Sequence, residues 1–298
     1  MAPLTNILTI DLEEYFHPTE VQRVLPPDRW ASLPSRVEPQ TDWVLELLDR
    51  HSARATFFVL GWVAERYPSL IRRIAAAGHE IGCHSYAHQL VYDLTPSNSA
   101  ATPSAHWKRS TRRLPASPHG ASAPYRAPSY SITSRSLWAL EILGACGIRC
   151  DSSIYPIAHD RYGIPGFARH AHALQTPAGP ILEVPIATAQ LSHGTVAPVG
   201  GGAYLRLLPY RYTAAGIRRI NSQDRQPACV YFHPWEIDPD HPRLAAGFAS
   251  RFRTYTGLRG MRRKLERLVS DFRFSALESV YPYEKMNQAG VTATVAAS

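Results

Sequence analysis

Three short apolar runs alternate with two helical patterns near the start of the chain, and this alternation constrains the fold more than any other feature. The apolar runs are residues 6–10, 55–60 and 79–83. The helical patterns cover residues 40–51 and 68–77. A strand–helix–strand–helix–strand order is typical of a parallel α/β sheet, so we expect an α/β protein.

Chemically reactive side chains follow the ends of the predicted strands. Asp11 comes directly after the first apolar run, and His84 comes directly after the third. Later runs predict strands that end at Asp151 and at His233. Because parallel α/β folds gather their active sites at the carboxyl ends of the strands, we expect one site there.

Carboxylates are concentrated after the first strand, in the segment Asp11-Leu12-Glu13-Glu14. Asp11 and Glu13 are two residues apart, so an extended strand would point them to the same face. Two carboxylates held close together need a cation, or one of them must stay protonated. For these residues alone, an acidic solvated loop is the alternative interpretation.

His84 and His88 stand in the segment HSYAH. Two histidines four residues apart lie on one side of a helical turn and can both reach one metal ion. A pair of surface histidines is the alternative. With Asp11 and Glu13 at a neighbouring strand end, we favour a site of two histidines and a carboxylate, which leaves open positions for water and substrate.

Two further residues have candidate roles. Arg126, in RAPSY, can hold a nearby carboxylate by a bidentate pair, or it is a surface arginine. His233, at the end of the last predicted strand, can act as a general acid tuned by a carboxylate, or it is a core histidine. The glycine triplet 200–202 predicts a flexible loop.

The formal net charge is +8, and it is unevenly placed. Residues 251–273 carry eight basic and two acidic side chains in a region predicted to be helical over 243–272. Such a patch can attract nucleic acid, anionic glycan or a membrane surface. Because no nucleic-acid motif accompanies it, we expect a solvated helix face and no nucleic-acid partner, with peripheral membrane contact left open.

Other features of the sequence concern the cellular location of the protein and the reading frame of one segment. No run of about 18 apolar residues occurs, so no transmembrane segment is expected. The first residues lack the features of a signal peptide, and the four cysteines fit no zinc-ribbon spacing, so we expect free thiols and a cytoplasmic protein. Residues 97–123 have no apolar periodicity and are rich in proline, serine and alanine. They are predicted to be either a long surface loop or a frameshifted segment.

Five segments, taken in order, resemble the motifs of the polysaccharide deacetylase family, also called NodB homology or carbohydrate esterase family 4. They are TIDLEE, HSYAH, RAPSY, DSSIYP and YFH, and the resemblance covers most of residues 5–240. IDLEEYFH, RAPSYSIT, the glycine triplet and FHPWEIDPDHPR further resemble the exopolysaccharide-locus branch associated with exosortase and PEP-CTERM systems. That branch carries a C-terminal extension.

The resemblance implies a distorted (β/α)7 barrel of the NodB type as a catalytic domain over residues 1–240. A basic helical extension over 241–285 would pack on this domain, and 286–298 would form a flexible tail. The resemblance also implies a divalent metal, usually zinc, with cobalt, nickel and iron as alternatives.

The metal ligands implied by the resemblance are His84, His88 and a carboxylate. Glu13 stands where the family usually has aspartate, and Glu14 competes with it for that role. Asp11 would be the general base, oriented by Arg126.

The remaining roles concern the leaving group and the substrate. His233 would protonate the leaving amine, with Asp151 tuning it. Tyr130 sits where the family supplies a backbone donor to the oxyanion, and Trp235 would contact the substrate.

The function implied is metal-dependent removal of N-acetyl groups from an N-acetylhexosamine-containing polysaccharide or its precursor. Hydrolysis of a small cyclic amide, as in allantoinase-like relatives of the fold, is one alternative. An inactive glycan-binding module is another. An open groove lined by aromatic side chains would favour the glycan, and a closed pocket would favour the small amide.

Overall fold

The computed structural model describes residues 3–94, 122–192, 194–243 and 248–284. Residues 97–121 of the proline- and serine-rich stretch lie outside the described residues, so the loop and frameshift hypotheses are not tested. The tail predicted over 286–298 lies outside them as well.

Strands and helices alternate along most of the described chain. The strands are β1 (Asn6–Leu12), β2 (Thr56–Val59), β3 (Glu80–Cys83), β4 (Cys150–Asp151), β5 (His172–Thr176), β6 (Gly179–Glu183), β7 (Thr188–Ser192), β8 (Thr195–Pro198), β9 (Cys229–Phe232) and β10 (Phe274–Ser275). The α-helices are α1 (Thr19–Gln22), α2 (Val37–Arg50), α3 (Gly61–Arg66), α4 (Pro68–Ala76), α5 (Trp138–Ala145), α6 (Ala203–Leu207), α7 (Tyr210–Arg219), α8 (Phe248–Tyr255), α9 (Leu258–Asp271) and α10 (Leu277–Val280).

The central sheet is parallel, with strand order β9–β1–β2–β3 and β10 beside the start of β1. Single backbone bridges from Cys83 to Tyr125 and from Tyr125 to Asp151 lead on to β4, which pairs with β6. The predicted parallel α/β class is therefore confirmed. Closure of these strands into a seven-stranded barrel stays a prediction.

The helices cover the sheet through their apolar faces. Every residue of β1 is buried, as are Leu47 and Leu48 of α2 and Leu70 and Ile74 of α4. Because the sheet is covered by helices, β1, β2 and β3 are buried along their whole length, polar residues included. Truncation of one such leucine to alanine typically costs about 2–5 kcal/mol.

The glycine triplet 200–202 is packed tightly against β9 and is not the flexible loop expected from the sequence. Tyr231 donates its N–H to the Gly200 carbonyl at 2.6 Å, and Gly202 donates its N–H to the Tyr231 carbonyl at 2.9 Å. Gly201 has φ +117°, and a Cβ there would lie 1.9 Å from the Tyr231 carbonyl oxygen. Gly201 and Gly202 have no room for a side chain because Tyr231 of β9 lies too close, and Gly200 has none because Ile186 does.

The predicted basic helical region contains two helices, α8 and α9, separated at Gly257 with φ +85°. Glycine adopts this left-handed conformation without steric cost, which lets the chain turn between the helices. Met261, Leu265 and Leu268 of α9 are buried in the main core. Among the helices in the described part of the chain, none has the length and apolarity to cross a membrane.

Candidate active site

Asp11 and Arg126 form a buried ion pair at the carboxyl end of β1. Arg126 Nη1 donates to Asp11 Oδ1 at 2.7 Å and to Thr9 Oγ1 at 2.7 Å, and its other nitrogens bond Ser152. Burial raises the pKa of Asp11, but Arg126, His84 and His233 lower it by more. The pKa of Asp11 is therefore below its usual value, and the carboxylate is ionised at neutral pH.

Glu13, His84 and His88 form a compact buried cluster beside this pair. Ligand atoms of the three side chains all lie within 4.8 Å of one another. The histidines do not share a helical turn as the spacing predicted. Instead, Ser85 and His88 have positive φ values of 66° and 55°, and the loop folds back so that the imidazole centroids lie 5.4 Å apart.

The donor atoms of this cluster suit a divalent metal. His84 Nδ1 lies 2.9 Å from the Arg126 carbonyl, to which it donates, so His84 Nε2 carries a free lone pair. Among the described residues, neither Glu13 Oε2 nor His88 Nδ1 has a hydrogen-bond partner, although both are buried. Orphaned buried polar atoms of this kind need an unseen partner.

Protonation within the cluster also suits a metal. Burial lowers the pKa of His84 to about 4 and that of His88 well below its usual value, so both imidazoles are neutral. Burial raises the pKa of Glu13 to about 8, because the carboxylate has lost its hydration. A cation would restore the ionised form, as metal ligation requires.

Glu14 points away from the cluster, so Glu13 is the carboxylate of this site. Glu14 accepts a hydrogen bond from Ser35 Oγ at 2.5 Å and from the backbone N–H groups of Arg36 and Val37. These N–H groups lie at the start of α2, where an anion is favoured because the first turn leaves its donors unpaired. Glu14 thus fixes the start of α2.

His233 faces the two site carboxylates through one ring nitrogen and Glu236 through the other. His233 Nε2 lies 3.1 Å from Glu13 Oε1 and 3.8 Å from Asp11 Oδ2. His233 Nδ1 lies 3.0 Å from Glu236 Oε2. Burial lowers the pKa of His233, but Glu13, Glu236 and Asp11 raise it by more, to about 9, so the ring carries a proton to give.

Asp151 is not the residue that tunes His233. Asp151 accepts hydrogen bonds from Ser153 Oγ at 2.7 Å and from the Ser153 N–H, and Ser153 Oγ in turn accepts from Ala127 N–H. Asp151 therefore supports the RAPSY loop, and the partner of His233 is Glu236. The sequence signal was present, because a glutamate three residues after the residue that starts a helical turn is typical of a capping box.

Tyr130 and Trp235 both line the cleft, but the expected role of Tyr130 needs correction. The Tyr130 N–H donates to the Ala127 carbonyl at 3.1 Å within the turn Pro128–Tyr130, so it is already used in this structure. The Trp235 ring stacks on His233, with centroids 5.2 Å apart and an interplanar angle of 25°. Trp235 thus lies where a substrate that reaches His233 would pass.

The site opens into a cleft of about 1130 Å³. Aromatic side chains line much of it: Tyr92, Tyr130, Tyr162, Tyr204, Tyr212, Tyr231 and Trp235. Flat aromatic faces edged by polar groups suit sugar rings, which present both C–H faces and hydroxyl groups.

The fold and the site together define an α/β protein with a His–His–carboxylate cluster beside the buried Asp11–Arg126 ion pair. Residues 32–148 match the sequence model of the polysaccharide deacetylase family. Residues 152–282 match a domain of unknown function, DUF3473. The first match contains HSYAH and RAPSY, whereas His233 and Glu236 fall in the second.

Curated relatives match short parts of the chain. A peptidoglycan-N-acetylglucosamine deacetylase of Bacillus cereus is 48% identical over 48 residues, which is 16% of this chain and 18% of the relative. A chitooligosaccharide deacetylase of Rhizobium leguminosarum bv. trifolii is 43% identical over 61 residues, or 20% of this chain and 27% of the relative. The chain thus spans about a quarter or less of the length of these relatives.

The fold extends over the whole of a solved structure. The crystal structure of a Mycobacterium smegmatis protein classed as a polysaccharide deacetylase superposes with a TM-score of 0.59 at 17% identity. The superposition covers 100% of this chain and 98% of that chain. The superposition shows a shared fold, and the similarity to the polysaccharide deacetylase family itself lies in residues 32–148.

Proposed function

We propose that this protein is a metal-dependent N-deacetylase of a polysaccharide that contains N-acetylhexosamine, or of its precursor. One observation carries the proposal: the Asp11–Arg126 pair, the Glu13–His84–His88 cluster and the His233–Glu236 pair meet at one aromatic cleft. The names of the relatives, which act on N-acetylglucosamine in peptidoglycan and on chitooligosaccharides, support this class of substrate.

The metal would be held by Glu13, His84 and His88. Zinc is the first candidate, with cobalt, nickel and iron as alternatives, because two imidazoles and one carboxylate suit all of these ions. When bound, such an ion polarises an acyl carbonyl and lowers the pKa of water.

The protein's own residues divide the proton transfers. Asp11, ionised because Arg126 compensates its charge, accepts a proton from the attacking water. His233, held in its protonated form by its carboxylate neighbours, gives the Nε2 proton to the amide nitrogen as the C–N bond breaks. Water thus adds to the acetyl carbon, and the products are acetate and a free amine.

The cleft favours a glycan over a small cyclic amide. Its volume of about 1130 Å³ lies above the upper end of the ordinary range for pockets that enclose small molecules, about 300–1,000 Å³. The complete set of acid, base and ligand side chains gives no support to an inactive binding module.

Finer features of the proposal rest on the sequence. We propose membership of the exopolysaccharide-locus branch, supported by the motifs that resemble it. A NodB-type barrel, a cytoplasmic location and a peripheral membrane contact through residues 251–273 remain predictions. Support for the membrane contact comes from the exposed side chains of Arg251, Phe252 and Arg253.

The test is release of acetate from N-acetylglucosamine oligomers of increasing length by chelated protein, with and without added zinc or cobalt. We expect metal-dependent acetate and a kcat/KM that rises with oligomer length as the aromatic cleft fills. Metal-dependent hydrolysis of a cyclic amide, with no acetate from any oligomer, would overturn the proposal. Asp11→Asn is the matched control, because it should abolish the base and keep all three metal ligands.

A further inference from the structure

A buried arginine holds the carboxylate that positions His233. Arg206, at the carboxyl end of the short helix α6, is 2% exposed. Its Nε donates to Glu236 Oε1 at 3.0 Å, while Glu236 Oε2 receives His233 Nδ1 at 3.0 Å and the His233 N–H at 3.1 Å. Each carboxylate oxygen of Glu236 thus has its own partner, which fixes the rotation of the carboxylate and therefore of the imidazole.

The C-terminal helices hold Arg206 in turn. Its Nη1 and Nη2 donate to the carbonyl oxygens of Thr256 and Arg253, at the end of α8. The last carbonyls of a helix lack partners within the helix, and a cation is favoured there. The guanidinium therefore connects α8 on one side with Glu236 on the other.

Two further contacts close around the backbone of Arg206. Lys264 of α9 donates to the carbonyl oxygens of Leu205, Arg206 and Leu208 at 2.7–3.0 Å. A Cβ at Gly257, between α8 and α9, would lie 2.6 Å from the Arg206 carbonyl oxygen. Any side chain at position 257 would therefore push on the backbone of Arg206.

We infer that the end of α8 and the turn at Gly257 position the general acid His233, because they hold Arg206 and Arg206 holds Glu236. Arg206 is a positioning residue, because it acts on His233 through Glu236. The inference rests on the proposed deacetylase function. It gives a chemical task to a segment that falls within a family match of unknown function. The Nε2 atom of His233 must face the cleft for proton transfer, and the contacts from Arg206 to α8 keep it there.

The test compares kcat and KM of the metal-loaded protein on one N-acetylglucosamine oligomer. Arg206→Ala should lower kcat by about 10²-fold, since a small misplacement of a catalytic group costs about that much, and should leave KM nearly unchanged. Arg206→Lys keeps the charge, but its single nitrogen cannot reach Glu236 and both carbonyl oxygens at once. Its kcat should therefore lie between those of the wild type and Arg206→Ala. Gly257→Ala should also lower kcat, because the added Cβ displaces the backbone of Arg206. This variant keeps the side chains of Arg206, Glu236 and His233.

Matched controls separate positioning from stability. Gly260→Ala lies on α9, where an added Cβ meets no atom within 4 Å, so kcat and KM should stay unchanged. Arg262→Ala removes contacts of α9 with the Ile237 carbonyl and Gln40, so it should lower the melting temperature and leave kcat unchanged. An unchanged kcat in both Arg206→Ala and Gly257→Ala, or an equal loss in Arg262→Ala, would overturn the inference. Absence of acetate from the wild-type protein would instead overturn the proposed function.

Discussion

Arg126 Nη1 and Asp11 Oδ1 lie 2.7 Å apart, and both side chains are almost wholly buried. A buried ion pair of this kind gains little net stability from its Coulomb energy, because both ions lose their hydration. Its value here is positional: Arg126 holds the Asp11 carboxylate ionised and directed at the site. Arg126 also offers its carbonyl to His84, so one residue orients both the base and a metal ligand.

Replacing Arg126 by methionine leaves the Asp11 charge buried and unpaired. We expect the free energy of unfolding to fall by about 3–5 kcal/mol and acetate release to be lost. Urea unfolding measures the first effect. The control is Arg73→Met, because Arg73 pairs with Asp42 and Glu38 at the surface and should cost less than about 1 kcal/mol. Equal losses for the two variants would contradict the buried-pair argument.

Zinc binding and proton transfer should be separable by mutation, because different residues carry them. Asp11→Asn should bind zinc nearly as tightly as the wild type and release no acetate, whereas His84→Ala should lose both properties. Calorimetric titration of the chelated protein with zinc measures the affinity. An active Asp11→Asn protein would remove Asp11 from the role of base.

Glu236 and Asp151 have different tasks, and their amide variants should show it. Glu236→Gln should lower kcat by about 10²-fold or more, because the amide cannot satisfy both Arg206 and His233 as the carboxylate does. Asp151→Asn weakens the support of the RAPSY loop and should lower kcat less. Steady-state kinetics on one oligomer decides the order, and a larger loss in Asp151→Asn would restore Asp151 as the partner of His233.

His79 should make stability depend on pH far from the site. Its Nδ1 accepts the Ala55 N–H at 3.2 Å, and burial lowers its pKa from 6.5 to about 4. Between about pH 4 and 6.5, His79 is therefore protonated in the unfolded chain and neutral in the folded protein. The free energy of unfolding rises with pH over this range, because the unfolded state binds more protons.

The measurement for His79 is urea unfolding at several pH values across that window. His79→Asn offers an Oδ1 acceptor at the position of Nδ1 and does not titrate, so its stability should vary less with pH. One fewer proton corresponds to a limiting difference in slope of about 1.4 kcal/mol per pH unit. Parallel pH profiles for the two proteins would show that His79 titrates normally.

Most local elements near the start of the chain could be predicted from the sequence. The helix predicted over 68–77 is α4 (Pro68–Ala76), and the run at 55–60 is β2 (Thr56–Val59). These predictions succeed because buried parallel strands and amphipathic helices have distinct apolar periods. The basic region near the C-terminus was predicted to be helical, but periodicity did not indicate the break at Gly257, which adopts a left-handed conformation.

By itself the sequence determined that Asp11 and His84 lie at the carboxyl ends of two strands of one parallel sheet, where such ends share an edge. It did not determine which of the neighbouring carboxylates serve the site. Glu13 and not Glu14 lies in the site, because the backbone N–H groups at the start of α2 bind the Glu14 carboxylate. Glu236 follows His233 in a capping-box pattern that the sequence shows, but the contacts that hold Glu236 run through Arg206 to the carbonyls of Arg253 and Thr256, 47 to 50 residues from Arg206 along the chain. Long-range packing decides such contacts, because a carboxylate bonds whichever donors the fold brings within about 3 Å, and no local pattern records that distance.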